Sequence, residues 1–255
     1  MRPLILLTND DGIEAEGILA LANALCGLGE LWVIAPRHEQ SAVSQAITIR
    51  DPIRALPWTF EVQGEQVEAR AITGTPADCV KIAVNEICPR KPDLVVSGIN
   101  HGPNSAVNAL YSGTVGAALE GAVNGCKSMA ISLNDFRPAD FSGAAWAARK
   151  IAEQMLGNET PLGTILNVNV PALPQDQIQG FEVTRQAKAR WVEEFQQRTD
   201  MMQRPYYWLG GYFINLDEGE ETDLQALDKG FVSVTPLKID MTDHFFAQEL
   251  KQWFF

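Results

Sequence analysis

The chain has 255 residues, of which 46% are hydrophobic, 20% charged and 8% aromatic, a profile that fits a soluble folded protein with a substantial core. Its formal net charge of −12 argues against a nucleic-acid polymer or an anionic membrane as the main partner. A phosphorylated small molecule stays open, provided that a cation or backbone N–H groups supply the local positive charge. The four cysteines, Cys26, Cys79, Cys88 and Cys126, form no CxxC pair, so a zinc or thioredoxin-type site is unsupported. The first apolar run is too short for a signal peptide or a membrane span. The expectation is a cytoplasmic protein.

The run Leu4-Ile5-Leu6-Leu7 ends in Thr8-Asn9-Asp10-Asp11-Gly12 and reads as a buried strand that delivers two acids to a sheet edge. Adjacent carboxylates repel unless solvent or a cation intervenes, so the pair is either a solvated, capped turn or a cation site. Ile18, Leu19, Leu21, Ala22 and Leu25 recur at helical spacing, and Leu31 to Pro36 is a second buried strand, completing a βαβ unit. The loop from Arg37 to Gln45 carries Ser41 and Ser44 just past that strand, and Ala46 to Ile49 resumes an extended pattern. Thr59 to Ile72 alternates around Gly64 like a hairpin. Thr75 and Pro76 suit the N-cap and first position of a helix that runs to Ile87.

Asp93 to Asn100 is a third buried strand with a polar end, followed by the loop His101-Gly102-Pro103-Asn104. Ser112-Gly113-Thr114 opens a helix of small residues, Ser128 to Leu133 is a strand, Phe141 to Leu156 a helix, and Thr164 to Pro171 a strand. This alternation is the signature of a doubly wound α/β fold. Beyond it, Phe181–Arg185 and Tyr206–Leu209 look like strands of an appended β element separated by a polar loop or ribbon, Glu193–Arg204. Asp217–Asp228 reads as a solvated loop, Gly230–Pro236 as a strand, and a terminal helix runs toward Trp253-Phe254-Phe255, whose apolar end needs cover.

Three strand ends thus supply Asp10 and Asp11, Ser41 with Ser44, and Asn100 with Asn104. All are oxygen donors, which suit Mg²⁺, Mn²⁺ or Ca²⁺ rather than zinc or copper. A helix N-terminus with Ser and Thr hydroxyls can hold phosphate oxygens. Together they read as metal-assisted phosphoester hydrolysis. No GxGxxG, P-loop or GxSxG motif supports a competing chemistry.

The ordered set Thr8-Asn9-Asp10-Asp11-Gly12-Ile13, Ala35-Pro36 with Gln40-Ser41-Ala42, Gly74-Thr75-Pro76-Ala77-Asp78-Cys79-Val80, Val96 through Asn104, and Tyr111-Ser112-Gly113-Thr114-Val115 closely resembles the SurE family of 5′/3′-nucleotidases. The likeness extends to Asn167–Pro171, Thr184-Arg185-Gln186, Tyr206-Tyr207-Trp208 and Ser233–Pro236, nearly the whole chain. It implies an α/β fold, a Rossmann-like mostly parallel sheet flanked by helices, with a catalytic domain at residues 1–180. Residues 181–255 would form a C-terminal β-rich oligomerisation region, exchanged between the subunits of a homodimer or homotetramer. The implied activity is release of phosphate from nucleoside 5′- and 3′-monophosphates, with one Mg²⁺ or Mn²⁺ per subunit. Asp10, Asp11, Ser41 and Asn100 are the implied metal ligands, with Asp10 and Asp11 central to catalysis; this selects Ser41 over Ser44. Asn104, Ser112, Gly113 and Thr114 are the implied phosphate contacts. Rival readings are a short-chain polyphosphate hydrolase and a nucleotide sensor without turnover.

Overall fold

A computed structural model describes residues 2–137 and 140–254. In chain order it comprises β1 (Leu4–Thr8), α1 (Glu16–Leu25), β2 (Glu30–Pro36), β3 (Ala55–Pro57), β4 (Phe60–Val62) and β5 (Glu65–Ile72). Next come α2 (Pro76–Ile82), running into a π-helical turn (Ala83–Ile87), β6 (Leu94–His101), α3 (Asn108–Tyr111), α4 (Gly113–Val123), β7 (Lys127–Leu133), α5 (Ser142–Gly157) and β8 (Thr164–Val170). The C-terminal part holds β9 (Phe181–Val183), β10 (Ala189–Thr199), β11 (Pro205–Asn215), α6 (Asp223–Asp228), β12 (Val232–Lys238) and α7 (His244–Lys251).

The main sheet runs β3-β5-β2-β1-β6-β7-β8-β12-β9, with β4 paired to β5 off that path. From β5 to β8 every pairing is parallel; β3 and β12 enter antiparallel. Strand β1 is apolar on both sides because both faces are covered. Ile5 and Leu7 pack with Ile18 and Leu21 of α1 and Ala144 and Ala147 of α5, whereas Leu6 packs with Cys79 and Val80 of α2 and Ala117 of α4. The chain builds β1, β2 and β5 to one side, then returns to build β6, β7 and β8 on the other. The strand order therefore reverses between β1 and β6, and the crevice beyond their carboxyl ends is where such sheets bind ligands. The Asp pair leaves β1 there.

Helix α2 starts as the sequence indicates. Thr75 accepts the Asp78 N–H at 3.1 Å, Asp78 accepts the Thr75 N–H at 2.9 Å, and Pro76 follows the cap. Three local expectations differ, and the Glu193 stretch, open between loop and exposed ribbon, is the ribbon. Ala46 to Ile49 joins no strand, because Asp78 engages the Thr48 N–H and hydroxyl at 3.0 and 2.5 Å and removes that donor from any ladder. Phe181–Val183 pairs in parallel with β12 in the main sheet. The polar stretch from Glu193 is itself a strand that pairs antiparallel with Pro205–Asn215. Within the acidic 217–228 stretch, Thr222 caps α6 by accepting the Gln225 N–H at 3.1 Å, and Asp223 is buried.

Among the described residues no helix is long and apolar enough to cross a membrane. The β10–β11 hairpin carries exposed Phe195, Tyr207, Trp208, Leu209 and Tyr212, and past α7 Trp253 and Phe254 are exposed. Phe255 lies outside the described residues.

Candidate active site

Beyond β1 the chain turns at once. Asn9 is fully buried and closes the turn on itself: its Nδ2 donates to the Gly12 carbonyl at 2.8 Å, and its Oδ1 accepts the Gly12 N–H at 3.2 Å. Asp10 and Asp11 are held between these anchors. Two backbone bonds tie this turn to the loop after β2. Ile13 N–H donates to the Pro36 carbonyl at 2.8 Å, and Gln40 N–H donates to the Asp10 carbonyl at 2.7 Å. Ser41 follows Gln40 on this loop and is exposed, its hydroxyl donating to Glu39 Oε1 at 2.6 Å. Ser44 faces elsewhere, its hydroxyl donating to the Leu110 carbonyl at 2.7 Å and its N–H to the Tyr111 carbonyl at 2.9 Å.

Asp10 is 5% exposed. Its Oδ2 accepts the Thr114 N–H at 3.0 Å, and its Oδ1 accepts the Thr114 hydroxyl. A carboxylate at the first turn of α4 meets the positive end of the helix dipole as well as a free N–H. Contact this close requires Gly113: a Cβ there would stand 2.9 Å from both Asp10 Cβ and Oδ2 and 3.2 Å from Pro76 Cγ. Ser112 caps α4, accepting the Val115 N–H at 3.1 Å. The sequence assigned Thr114 to phosphate; the structure places both its N–H and its hydroxyl on Asp10.

The Asp11 side chain is 5% exposed, and its Oδ1 lies 3.2 Å from His101 Nδ1. Its Oδ2 is buried with no hydrogen-bond partner. Among the described residues neither aspartate pairs with a lysine or arginine. Burial raises the Asp10 carboxyl above its ordinary 3.8, against the pull of the Thr114 hydroxyl and N–H. Burial first, then the charges of Asp10 and Glu39, push Asp11 up to about 8. Two desolvated carboxylates with an orphaned oxygen between strand ends make a place that lacks positive charge.

Asn100 arrives from β6 through an irregular strand end. The pairing with β7 shifts register between Ser97 and Asn100, and Gly98 (φ 138°) sits so close to β7 that a Cβ would be 2.3 Å from the Ile131 carbonyl oxygen. Asn100 Nδ2 donates to the Gly102 carbonyl at 2.7 Å, which fixes the amide so that its Oδ1 is the end left for a ligand. Asn104 is 6% exposed and belongs to a buried amide network. Its Nδ2 donates to Ser132 Oγ at 2.8 Å, its N–H to Asn169 Oδ1 at 2.7 Å, and its carbonyl accepts from Asn167 Nδ2 at 2.9 Å.

The residues present fit a hard divalent cation. No cluster of three or more His, Cys, Asp or Glu side chains suited to a metal occurs among the described residues; two carboxylates with neutral oxygens are a mixture that Mg²⁺ and Mn²⁺ accept. The sequence reading missed Glu39, which accepts the Ser41 hydroxyl at 2.6 Å. It also left His101 without a place beside Asp11. His101 ends β6 beside Asn100 and Glu39 lies two residues before Ser41 on the loop after β2, and that nearness in sequence to a proposed ligand was the only signal available.

Fold and site together define an open, doubly wound α/β protein with an acidic, oxygen-lined crevice at its switch point. Comparison with known proteins narrows this. The family described as Survival protein SurE matches residues 5–193. A 5′-nucleotidase SurE from Christiangramia forsetii is 47% identical over 253 residues, covering 99% of this chain and 97% of the relative. Another from Chlorobium luteolum is 46% identical over 252 residues, covering 99% and 96%. The crystal structure of the SurE protein from Aquifex aeolicus superposes with a TM-score of 0.83 at 36% identity, covering 98% of this chain and 99% of that one. The chain belongs to the SurE family.

Proposed function

We propose that this chain is a 5′-nucleotidase, a cytoplasmic homo-oligomeric phosphoric monoester hydrolase acting on nucleoside 5′-monophosphates and also on 3′-monophosphates. The observation that carries the reading is the buried Asp10–Asp11 pair, left without a basic partner and with Asp11 Oδ2 orphaned, in a chain whose relatives are named 5′-nucleotidase. Asp10, Asp11, Ser41 and Asn100 would hold one Mg²⁺ or Mn²⁺. When bound, such a cation supplies Lewis-acid polarisation of the phosphoryl group and activation of water.

The chain's own residues do the rest. Thr114 fixes both oxygens of Asp10, so its orientation is set before any ligand arrives. The buried Asn9 side chain locks the turn that aims Asp11. Ser112 and Gly113, at the start of α4, would offer a phosphate the positive end of that helix. Thr114 reaches phosphate only indirectly, through Asp10. Asn104 shapes the far wall through Ser132 and Asn169. On this reading residues 1–180 carry catalysis and 181–255 carry assembly.

The test is phosphate release from AMP and from 3′-AMP with Mg²⁺ or Mn²⁺. Turnover should vanish with EDTA and in Asp10→Asn; full activity in both controls refutes the metal assignment. A higher turnover on short polyphosphate than on AMP would move the substrate class, and tight AMP binding without phosphate release would make the protein a sensor.

A further inference from the structure

Ser41 Oγ donates to Glu39 Oε1 at 2.6 Å. A serine hydroxyl has one proton and two lone pairs, so committing the proton to Glu39 fixes where the lone pairs face. Gln40, between the two, is pinned by its N–H to the Asp10 carbonyl at 2.7 Å. The turn at Gly12 packs on the same segment: a Cβ at Gly12 would lie 3.4 Å from the His38 carbonyl carbon and 3.5 Å from the Glu39 nitrogen. Glu39 and Ser41 therefore flank a residue fastened to the acid pair. Glu39 is exposed and forms no ion pair among the described residues.

We propose that Glu39 is a positioning residue for the cation site: it takes the Ser41 proton, turns the hydroxyl lone pairs toward Asp10 and Asp11, and makes that neutral oxygen a stronger donor. Outer partners of this kind orient metal ligands and raise their basicity. The inference rests on the reading of Ser41 as a ligand.

The experiment is Mn²⁺ titration of the full chain, without nucleotide, followed by EPR of the free ion. It compares wild type, Ser41→Ala, Glu39→Ala, Glu39→Gln and the double variant Glu39→Ala/Ser41→Ala. Glu39→Ala should weaken Mn²⁺ binding about tenfold, at the lower end for an outer-shell partner. Glu39→Gln keeps an acceptor oxygen and should recover most of that loss. In the Ser41→Ala background Glu39→Ala should cost almost nothing, because the bond it acts through is gone. Melting in EDTA should be unchanged, since both side chains are on an exposed loop.

If wild type takes up no Mn²⁺, the cation reading falls and this inference with it. If wild type binds and Ser41→Ala weakens binding but Glu39→Ala does not, only the Glu39 role is overturned. An equal loss from Glu39→Ala in both backgrounds also overturns it, by showing a direct effect of charge. No loss in Ser41→Ala removes Ser41 from the ligand set and overturns it too.

Discussion

Gly113→Ala tests the contact on which the site is built. Glycine at this position is a matter of space, not of backbone conformation, for Gly113 is absent from the positive-φ residues. The added Cβ would stand 2.9 Å from Asp10 Cβ and Oδ2 and 3.2 Å from Pro76 Cγ. Carbon–carbon contacts are comfortable only near 3.5 Å, so about half an ångström must open between α4 and the turn after β1. Both sides are buried, and neither is the free end of a flexible chain. Overpacking of this kind costs about 1–3 kcal/mol. Against it stands the helix propensity gained on replacing glycine by alanine, at most about 1 kcal/mol and less in a first turn. The net is a destabilisation of about 1–2 kcal/mol, or a melting temperature lower by roughly 2–8 °C for a chain of this size. The gap also separates Thr114 from Asp10, so Mn²⁺ affinity should fall with stability, by about tenfold or more. The assays are thermal melting in EDTA, Mn²⁺ titration and phosphate release from AMP. Gly157→Ala is the control: nothing lies within 4 Å of a Cβ there, and it should leave all three readouts at wild-type level or raise the melting temperature. A Gly113→Ala protein that melts and turns over like wild type would show that the α4–Asp10 contact is not tight and would remove the reasoning.

Two further outcomes follow from the C-terminal half. The β10–β11 hairpin exposes large apolar side chains on both of its faces, Phe195, Tyr207 and Leu209 on one and Trp208 and Tyr212 on the other, a density of the kind that marks an interface. Light scattering should show a dimer or tetramer at micromolar concentration, and Trp208→Glu should weaken it; a wild-type monomer refutes the assembly. Arg185 donates to Asp217 at 2.6 and 2.8 Å, and Asp217 also accepts the Lys188 and Gly219 N–H groups, so its carboxyl is held below the ordinary 3.8. A depressed carboxylate adds stability above its unfolded pKa and loses it as pH falls through its folded one. Wild type and Asp217→Asn should therefore differ in urea midpoint at about pH 6 and converge toward about pH 2. A gap independent of pH refutes the pairing.

Much of the fold was legible because the parallel strands are apolar on both faces and each is cut off by polar residues. Leu4–Leu7 before Asp10, or Leu94–Val96 before Asn100, cannot sit anywhere but inside the sheet with their polar ends at its edge. What stayed hidden depends on partners far away in sequence. Thr114 looked like a phosphate contact because a helix start with hydroxyls can bind any anion; that its anion is Asp10 is a fact about how the start of α4 meets the turn after β1. The segment from Glu193 stayed open between a loop and an exposed ribbon because its strand leaves the main sheet and is exposed along most of its length, so no alternation of buried and solvated residues is imposed on it. Asp217–Asp228 read as solvated because acids cluster there. Asp223 is nonetheless fully buried, accepting the Ala106 N–H at 2.7 Å and the Ala187 N–H at 3.0 Å, a connector between two loops.

The two aspartates share a strand end but not an environment, and this separates their effects on stability. Asp10 has the Thr114 hydroxyl and N–H and the start of a helix to answer its charge. Asp11 has one imidazole nitrogen at 3.2 Å, an oxygen with no partner, and the charges of Asp10 and Glu39 beside it. Without a cation, Asp11 is thus the group the fold tolerates rather than the group that holds it. Asp11→Asn removes the like charge and keeps the shape. It should raise the melting temperature of the metal-free protein, because the amide cannot take the charge that burial and its neighbours oppose, while removing Mn²⁺ binding and turnover. Asp10→Asn should do the opposite to stability, since its amide keeps one acceptor oxygen where Thr114 presents two buried donors. Melting of both variants in EDTA separates the cases. If Asp11→Asn melts below wild type, its carboxylate is a structural group, and the stability given up at this strand end is not the consequence of building a cation site.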